Sequence, residues 1–279
     1  MGFLSPKELV QQYAGAGAAK TGKSTGELFA LAVLAGALIA LGCAATNTAV
    51  YGMENVGLAR TICGLLFPFG LCMVIVTGAE LFTGNSLIVI SVLNGQCTLR
   101  DMLRNWVLVY LGNFAGALLV AAGCVAFGQL NYSGGALAVY TIKVAVGKCG
   151  LPFLNGVGLG VFCNVLVCLG VLMAMSAKDA AGRLMGAFIP VCYFVLCGFE
   201  HCVANMYYIA AGLLAATHPG YAAPAAEAGL DLSGLTVGNF LLGNLLPVTI
   251  GNVLGGAGLG CLMWFAYLKN HGRTAAEQR

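Results

Sequence analysis

The polar positions of this chain come in short clusters. Between them lie apolar stretches of roughly twenty residues or more, the length at which an α-helix crosses a bilayer. The stretches are Glu27–Val50, Leu58–Leu93, Met102–Leu130, Leu151–Ser176, Met185–Thr217 and Leu235–Leu268. A membrane-spanning β-strand would instead alternate apolar and polar residues over about ten positions. A segment in lipid must satisfy its own backbone groups, so these stretches are predicted to be helices. Leu58–Leu93 and Met185–Thr217 are too long for one straight crossing, and each contains Gly-x-Glu. The pattern predicts an all-α membrane protein with six transmembrane helices, the second and fifth broken.

The ends read differently. Met1–Lys23 has no apolar core of the kind a cleavable signal requires. Ser5-Pro6-Lys7-Glu8 predicts a helix start, with Ser5 as N-cap, Pro6 in the first turn and Glu8 as the reciprocal capping partner. Residues 1–26 are thus an N-terminal surface helix or tail, 27–268 the transmembrane domain, and 269–279 a polar tail.

Composition agrees with this reading and narrows it. Of 279 residues 59% are apolar and 8% charged, where a soluble domain carries about 25% charged residues. That excludes a soluble enzyme, a disordered tail and a nucleic-acid binder, which needs a dense basic face. The net charge of +3 bears on topology. Lys7, Lys20, Lys23, Arg100, Arg104, Lys178, Arg183, Lys269, Arg273 and Arg279, ten of the thirteen basic residues, fall at the two tails and the loops after the second and fourth helices. Arg60, Lys143 and Lys148 fall on the other side. Basic loops stay cytoplasmic, which predicts both termini inside a multi-pass protein of the cell inner membrane.

Two patterns recur. Gly78-Ala79-Glu80-Leu81-Phe82-Thr83-Gly84-Asn85 aligns with Gly198-Phe199-Glu200-His201-Cys202-Val203-Ala204-Asn205 as G-x-E-x-x-x-x-N. Gly112-Asn113-Phe114-Ala115-Gly116 aligns with Gly251-Asn252-Val253-Leu254-Gly255 as G-N-x-x-G. Halves of three spans enter the membrane from opposite sides, so the repeat is inverted. In such transporters the substrate path lies where the broken helices meet. No equally clean match links the first and fourth helices.

Ionisable groups at membrane depth are costly and face a cavity or a partner. Glu80, Glu200 and His201 are the ones well inside predicted spans. For each carboxylate the favoured reading is that it accepts backbone N–H groups freed by the break, because lining the path would repel anions. His201 has Leu81 as its counterpart, so symmetry does not require it, and its place at the break favours a pore role. Thr83, Asn85, Asn164 and Asn205 can hydrogen-bond a dehydrating solute or bridge helices; bridging is favoured for Asn85 and Asn205 and left open for Thr83 and Asn164. Lys148 can concentrate anions at an outer entrance or simply snorkel.

Other motifs carry less. Gly17-Ala18-Ala19-Lys20-Thr21-Gly22-Lys23-Ser24 matches the phosphate-binding P-loop pattern, but a helix start precedes it, a span follows, and no parallel sheet can form around it. The twelve cysteines include no C-x-x-C and lie mostly in apolar runs, as small hydrophobes. No metal or cofactor is expected. Gly112-x-x-x-Gly116, Gly156-x-x-x-Gly160 and Gly251-x-x-x-Gly255 permit close helix approach, within one chain or between protomers.

Ile75-Val76-Thr77-Gly78-Ala79-Glu80-Leu81-Phe82-Thr83-Gly84 resembles a signature of the formate/nitrite transporter family. Gly160-Val161-Phe162-Cys163-Asn164-Val165-Leu166-Val167-Cys168-Leu169 resembles a second, with Gly170 where alanine is usual. Gly198–His201 with Ala204-Asn205-Met206, and Asn244–Asn252, are similar to family segments too. The resemblance spans about Ser5 to Leu268. It implies an aquaporin-like channel protomer in a homopentamer, one anion pore per protomer. It also implies a path past Thr83, His201, Asn164 and Lys148, with Glu200 and Asn205 nearby. Leu71, Leu81 and Val167 resemble one constriction; Phe67 and Phe194 resemble the other. The expected solute is a small monovalent weak-acid anion, formate first, with nitrite and hydrosulfide open. A neutral-solute channel and an intramembrane redox enzyme are the alternatives from other classes.

Overall fold

The computed structural model describes residues 2–269. The predicted C-terminal tail beyond them, with Arg273 and Arg279, lies outside the described residues. The protein is all-helical. Five of its helical segments are long and apolar enough to cross a membrane: Thr25–Val50, Val56–Thr77, Leu99–Ala126, Phe153–Ser176 and Asn239–Tyr267.

The chain begins with α1 (Pro6–Thr21), capped as its sequence predicts. Ser5 Oγ accepts from Glu8 N, and the Glu8 carboxylate accepts from Ser5 N at 2.8 Å. The Ser5 hydroxyl, donating to the Glu8 carboxylate at 2.7 Å, and then the Ser5 N–H hold that carboxyl below the usual carboxylate range. Ser24, the last residue of the P-loop look-alike, is the N-cap of α2 (Thr25–Val50), where its hydroxyl accepts from Glu27 N.

The second predicted span is α3 (Val56–Leu66) followed directly by α4 (Pro68–Thr77), then a non-helical turn. It resumes as α5 (Phe82–Asn85), a 3-10 turn over Ser86–Ile88, and α6 (Val89–Leu93). α7 (Leu99–Ala126) starts on a Thr98–Asp101 capping box. α8 (Tyr132–Cys149) falls between the third and fourth predicted spans; its first turn carries left-handed Ser133, Gly134 and Gly135. α9 (Phe153–Ser176) follows. The fifth predicted span divides into α10 (Ala180–Leu196) and α11 (Cys202–Ala216). After a short α12 (Pro219–Glu227), a π-helical stretch Asn239–Leu245 leads into α13 (Leu246–Tyr267).

Small residues set the packing. A Cβ on Gly116 would strike Val33 O, and one on Gly112 would stand 2.5 Å from the Ala32 side chain, so α7 lies directly on α2. Cβ atoms on Gly251 and Gly255 would strike Val157 O and Val161 O, so α13 lies on α9 in the same way. The small-residue motifs are therefore filled within the chain. The N-terminal segment, the α6–α7 loop and the α9–α10 loop gather at one end. Leu4 N donates to Ser176 O, and Arg104 donates to Lys23 O and Thr25 Oγ1.

Candidate functional site

Two breaks define the site. α4 ends on Gly78 (φ +66) and α10 is followed by Gly198 (φ +72), left-handed positions that only glycine fills without strain. In each case the next residue's N–H turns back to close the helix: Ala79 N to Val74 O, Phe199 N to Phe194 O. The chain then extends through Leu81 (φ −107) or His201 (φ −116) and re-enters a helix.

The polar neighbours of the breaks are the same twice over. Asn113 of α7 accepts from Phe82 N at 2.9 Å and donates to Ala32 O and Glu80 O. Asn252 of α13 accepts from Cys202 N at 2.9 Å and donates to Gly160 O and Glu200 O. These two asparagines hold the strands between helices. The carboxylates do not take the freed amides, which corrects the reading the sequence favoured. They turn instead to the last turns of α1 and α8. Glu80 is paired with Lys20 at 2.7 Å and accepts from Asn85, which also donates to Asn105. Glu200 is paired with Lys148 at 3.0 Å and accepts from Asn205, which also donates to Asn244. Asn105 and Asn244 close the rings on Lys20 O and Lys148 O. Glu80 N and Glu200 N donate to Leu31 O and Leu159 O, so α2 and α9 are counterparts although their sequences show little of it.

The halves differ where they face each other. His201 and Thr83 meet across the molecule, Nε2 to Oγ1 at 2.9 Å, both buried. Their counterparts, Leu81 and Val203, are apolar. His201 Nδ1 accepts from Ala204 N at 3.0 Å, capping α11. In the neutral ring this leaves the proton on Nε2, which donates to Thr83 and frees the threonine hydroxyl hydrogen for another acceptor. Asn164 donates to Thr83 O, Ser86 Oγ and Asn252 O, so its amide holds the Thr83 loop rather than facing a solute.

A cavity of about 500 Å³ between α3, α8 and α10 reaches His201. Phe67, Phe194 and His201 line its floor, and Lys148, Glu200 and Asn205 its wall. Phe194 stacks on the His201 ring at 5.7 Å and meets Phe67 edge-on at 5.6 Å. Leu71, Leu81 and Val167 are buried away from that cavity. Leu71 Cδ2 lies 3.5 Å from the Cβ position of Gly170, one turn from Val167. Lys148 stands 5.4 Å over the Tyr208 ring.

Sequence reasoning missed Lys20 as a partner of Glu80, and gave no role to Asn105 or Asn244. A signal was present: both asparagines stand at the same spacing before Gly112-Asn113 and Gly251-Asn252, as N-x-x-x-x-x-x-G-N.

The sequence profile of the formate/nitrite transporter family matches residues 7–266. The chain belongs to that family. It is 34% identical to a probable formate transporter of Methanothermobacter thermautotrophicus, over 96% of this chain and 98% of that one. It is likewise 34% identical to the formate channel FocA of Escherichia coli strain K12, over 96% of each. Among solved structures, a pentameric formate channel with formate bound superposes with a TM-score of 0.79 at 33% identity, covering 88% of this chain and 98% of that one. A formate/nitrite transporter family ion channel gives 0.77 at 26% identity, covering 93% and 98%. Family membership makes the chain a multi-pass membrane transport protein, not an enzyme.

Proposed function

We propose that the protein is a channel for small monovalent weak-acid anions, formate first, conducting passively or with a proton. The observation that carries this reading is the Thr83–His201 hydrogen bond, a polar crossing between two helix breaks beneath an aromatic floor. Relatives named as formate channels and a solved channel holding formate favour formate over nitrite and hydrosulfide.

A bare anion crossing Phe67 and Phe194, then Leu71, Leu81 and Val167, faces a large desolvation cost. The Thr83 hydroxyl, and the helix starts at Phe82 and Cys202 with their partial positive charge, offset part of it. A weak acid has a second route. In a low-dielectric throat its neutral form is favoured, and a proton that arrives along water, or that His201 relays while taking another from water, lets it pass uncharged.

The reading includes an aquaporin-like protomer of six spans in two inverted halves. The segments α3–α6 and α10–α11 form the broken spans, and α1 and α8 sit as equivalent flanking helices. It includes a homopentamer in the bilayer of the cell inner membrane, with residues 1–26 and 269–279 cytoplasmic around the channel domain 27–268. The one-sided cluster of Lys20, Lys23, Arg100, Arg104, Lys178 and Arg183 supports that orientation.

The test is stopped-flow uptake of formate into proteoliposomes, with an internal pH dye and a parallel osmotic water assay. Formate flux well above that of protein-free vesicles is expected. Water flux without anion flux would make the protein a neutral-solute channel and end this reading.

A further inference from the structure

Three basic residues line the outer cavity: Arg60, Lys143 and Lys148. From sequence, Lys148 could gather anions or simply snorkel. The structure speaks against the first, because both Glu200 carboxylate oxygens stand 3.0 Å from the Lys148 ammonium. The pair is closed further by Asn205 and Asn244, and its net charge is zero.

Arg60 and Lys143 are different. Both are exposed to the cavity, and among the described residues neither has a carboxylate within ion-pair distance. Arg60 reaches from α3 over the break itself: its guanidinium lies 3.4 Å from the Cβ position of Gly198, two residues before Glu200. Lys143 projects from α8 on the opposing wall. Glu200 is the acid in the wall, and it is matched by Lys148. Two uncompensated positive charges therefore stand above the Phe67–Phe194 floor.

We propose that Arg60 and Lys143 form an anion-capture site in this outer cavity, and that Lys148 acts as a positioning residue for Glu200 and Asn205. A concave, low-dielectric wall focuses the field of fixed charges and raises the local concentration of a small anion. The planar guanidinium fork of Arg60 suits an anion with two oxygens in one plane, a carboxylate, better than a spherical halide. The site sets the concentration at which flux is half-maximal, and Arg60 gives it a preference for carboxylates. This rests on the anion-channel reading above.

The experiment is formate uptake into proteoliposomes by the parent protein, Arg60→Gln, Lys143→Gln, the double variant and Arg60→Lys, at low and high ionic strength. Size-exclusion elution of each variant checks its fold. In the double variant at about 0.01 M ionic strength, half-saturating formate should rise about fivefold with less than a twofold change in maximal flux. At about 0.3 M salt the difference should shrink to within about twofold, because exposed charges are then screened. Arg60→Lys should keep the salt dependence and lose resistance to competition by chloride. A correctly eluting double variant with the parent's half-saturation and salt dependence would overturn the capture site. So would a fall in maximal flux at fixed half-saturation, which marks a packing role. A parent protein that passes no formate would instead overturn the channel reading on which the site depends.

Discussion

Around Glu80 and around Glu200 the molecule builds one polar ring twice. Each has a lysine from the last turn of a flanking helix, a glutamate after a left-handed glycine, and an asparagine five residues on. A second asparagine on the neighbouring helix closes it. The two rings differ in depth. The Glu80 side chain is 2% exposed and that of Glu200 is 11%, because the cavity lined by Arg60, Lys143 and Lys148 reaches the second ring. They differ more at the positions that face each other, where Leu81 stands against His201 and Val203 against Thr83. The repeated residues hold the backbone where the helices part. The chemistry suited to a solute sits in the departures from the repeat.

If that division is right, paired substitutions in the repeated residues should behave alike. Asn113→Ala and Asn252→Ala each remove three buried hydrogen bonds of 2.7–2.9 Å to backbone groups. Each should cost about 3 kcal/mol of stability, at about 1 kcal/mol per bond. Thermal unfolding in detergent should show two midpoints lowered by similar amounts. A large drop for one and none for the other would break the equivalence.

The lysines should separate the rings. Lys20→Met strands a carboxylate that is nearly sealed from solvent, whereas Lys148→Met strands one that borders the outer cavity. Breaking a fully buried pair costs roughly 3–5 kcal/mol. Discounted for the partial exposure of both lysines, Lys20→Met should cost about 2 kcal/mol and Lys148→Met about half that. The same unfolding assay reads the order, and a reversed order would place the deeper ring on the wrong side.

A smaller effect is expected at Thr83. Thr83→Val gives the loop the residue of its counterpart, Val203, and removes one hydroxyl while the helix starts at Phe82 and Cys202 remain. Formate flux should fall about threefold, the effect of one neutral hydrogen bond of roughly 0.6 kcal/mol, within the usual range. Abolished flux in a folded Thr83→Val protein would make the hydroxyl, not the helix ends, the main counter-group.

Much of this architecture is legible in the residues. Apolar length marks the spans, and Gly-x-Glu inside over-long runs marks the breaks at Gly78 and Gly198. One short pattern relates the two breaks, and a second fixes the equivalence of α7 with α13. The rest is hidden for physical reasons. α8 has a glycine-rich, left-handed start and carries two lysines, so apolar length does not reveal it as a helix. Lys20 reads as one more basic residue of a tail, because its partner is sixty positions away. The equivalence of α2 and α9 is carried by carbonyl oxygens, Leu31 O and Leu159 O, which any side chain would supply. The charge of Lys148 looks available in the sequence and is compensated in the fold.

The central claim is that the buried Thr83–His201 crossing, rather than the twin rings, governs how a weak acid passes. It is tested most directly by formate uptake into proteoliposomes at several pH values, with His201→Phe and His201→Asn beside the parent. His201→Phe should elute as an intact oligomer and lose at least about tenfold of its proton-linked uptake, roughly 1.4 kcal/mol on the barrier. His201→Asn, which keeps a hydrogen-bond donor, should pass formate with a flatter pH dependence. An intact His201→Phe oligomer with the parent's rate and pH profile would contradict the claim.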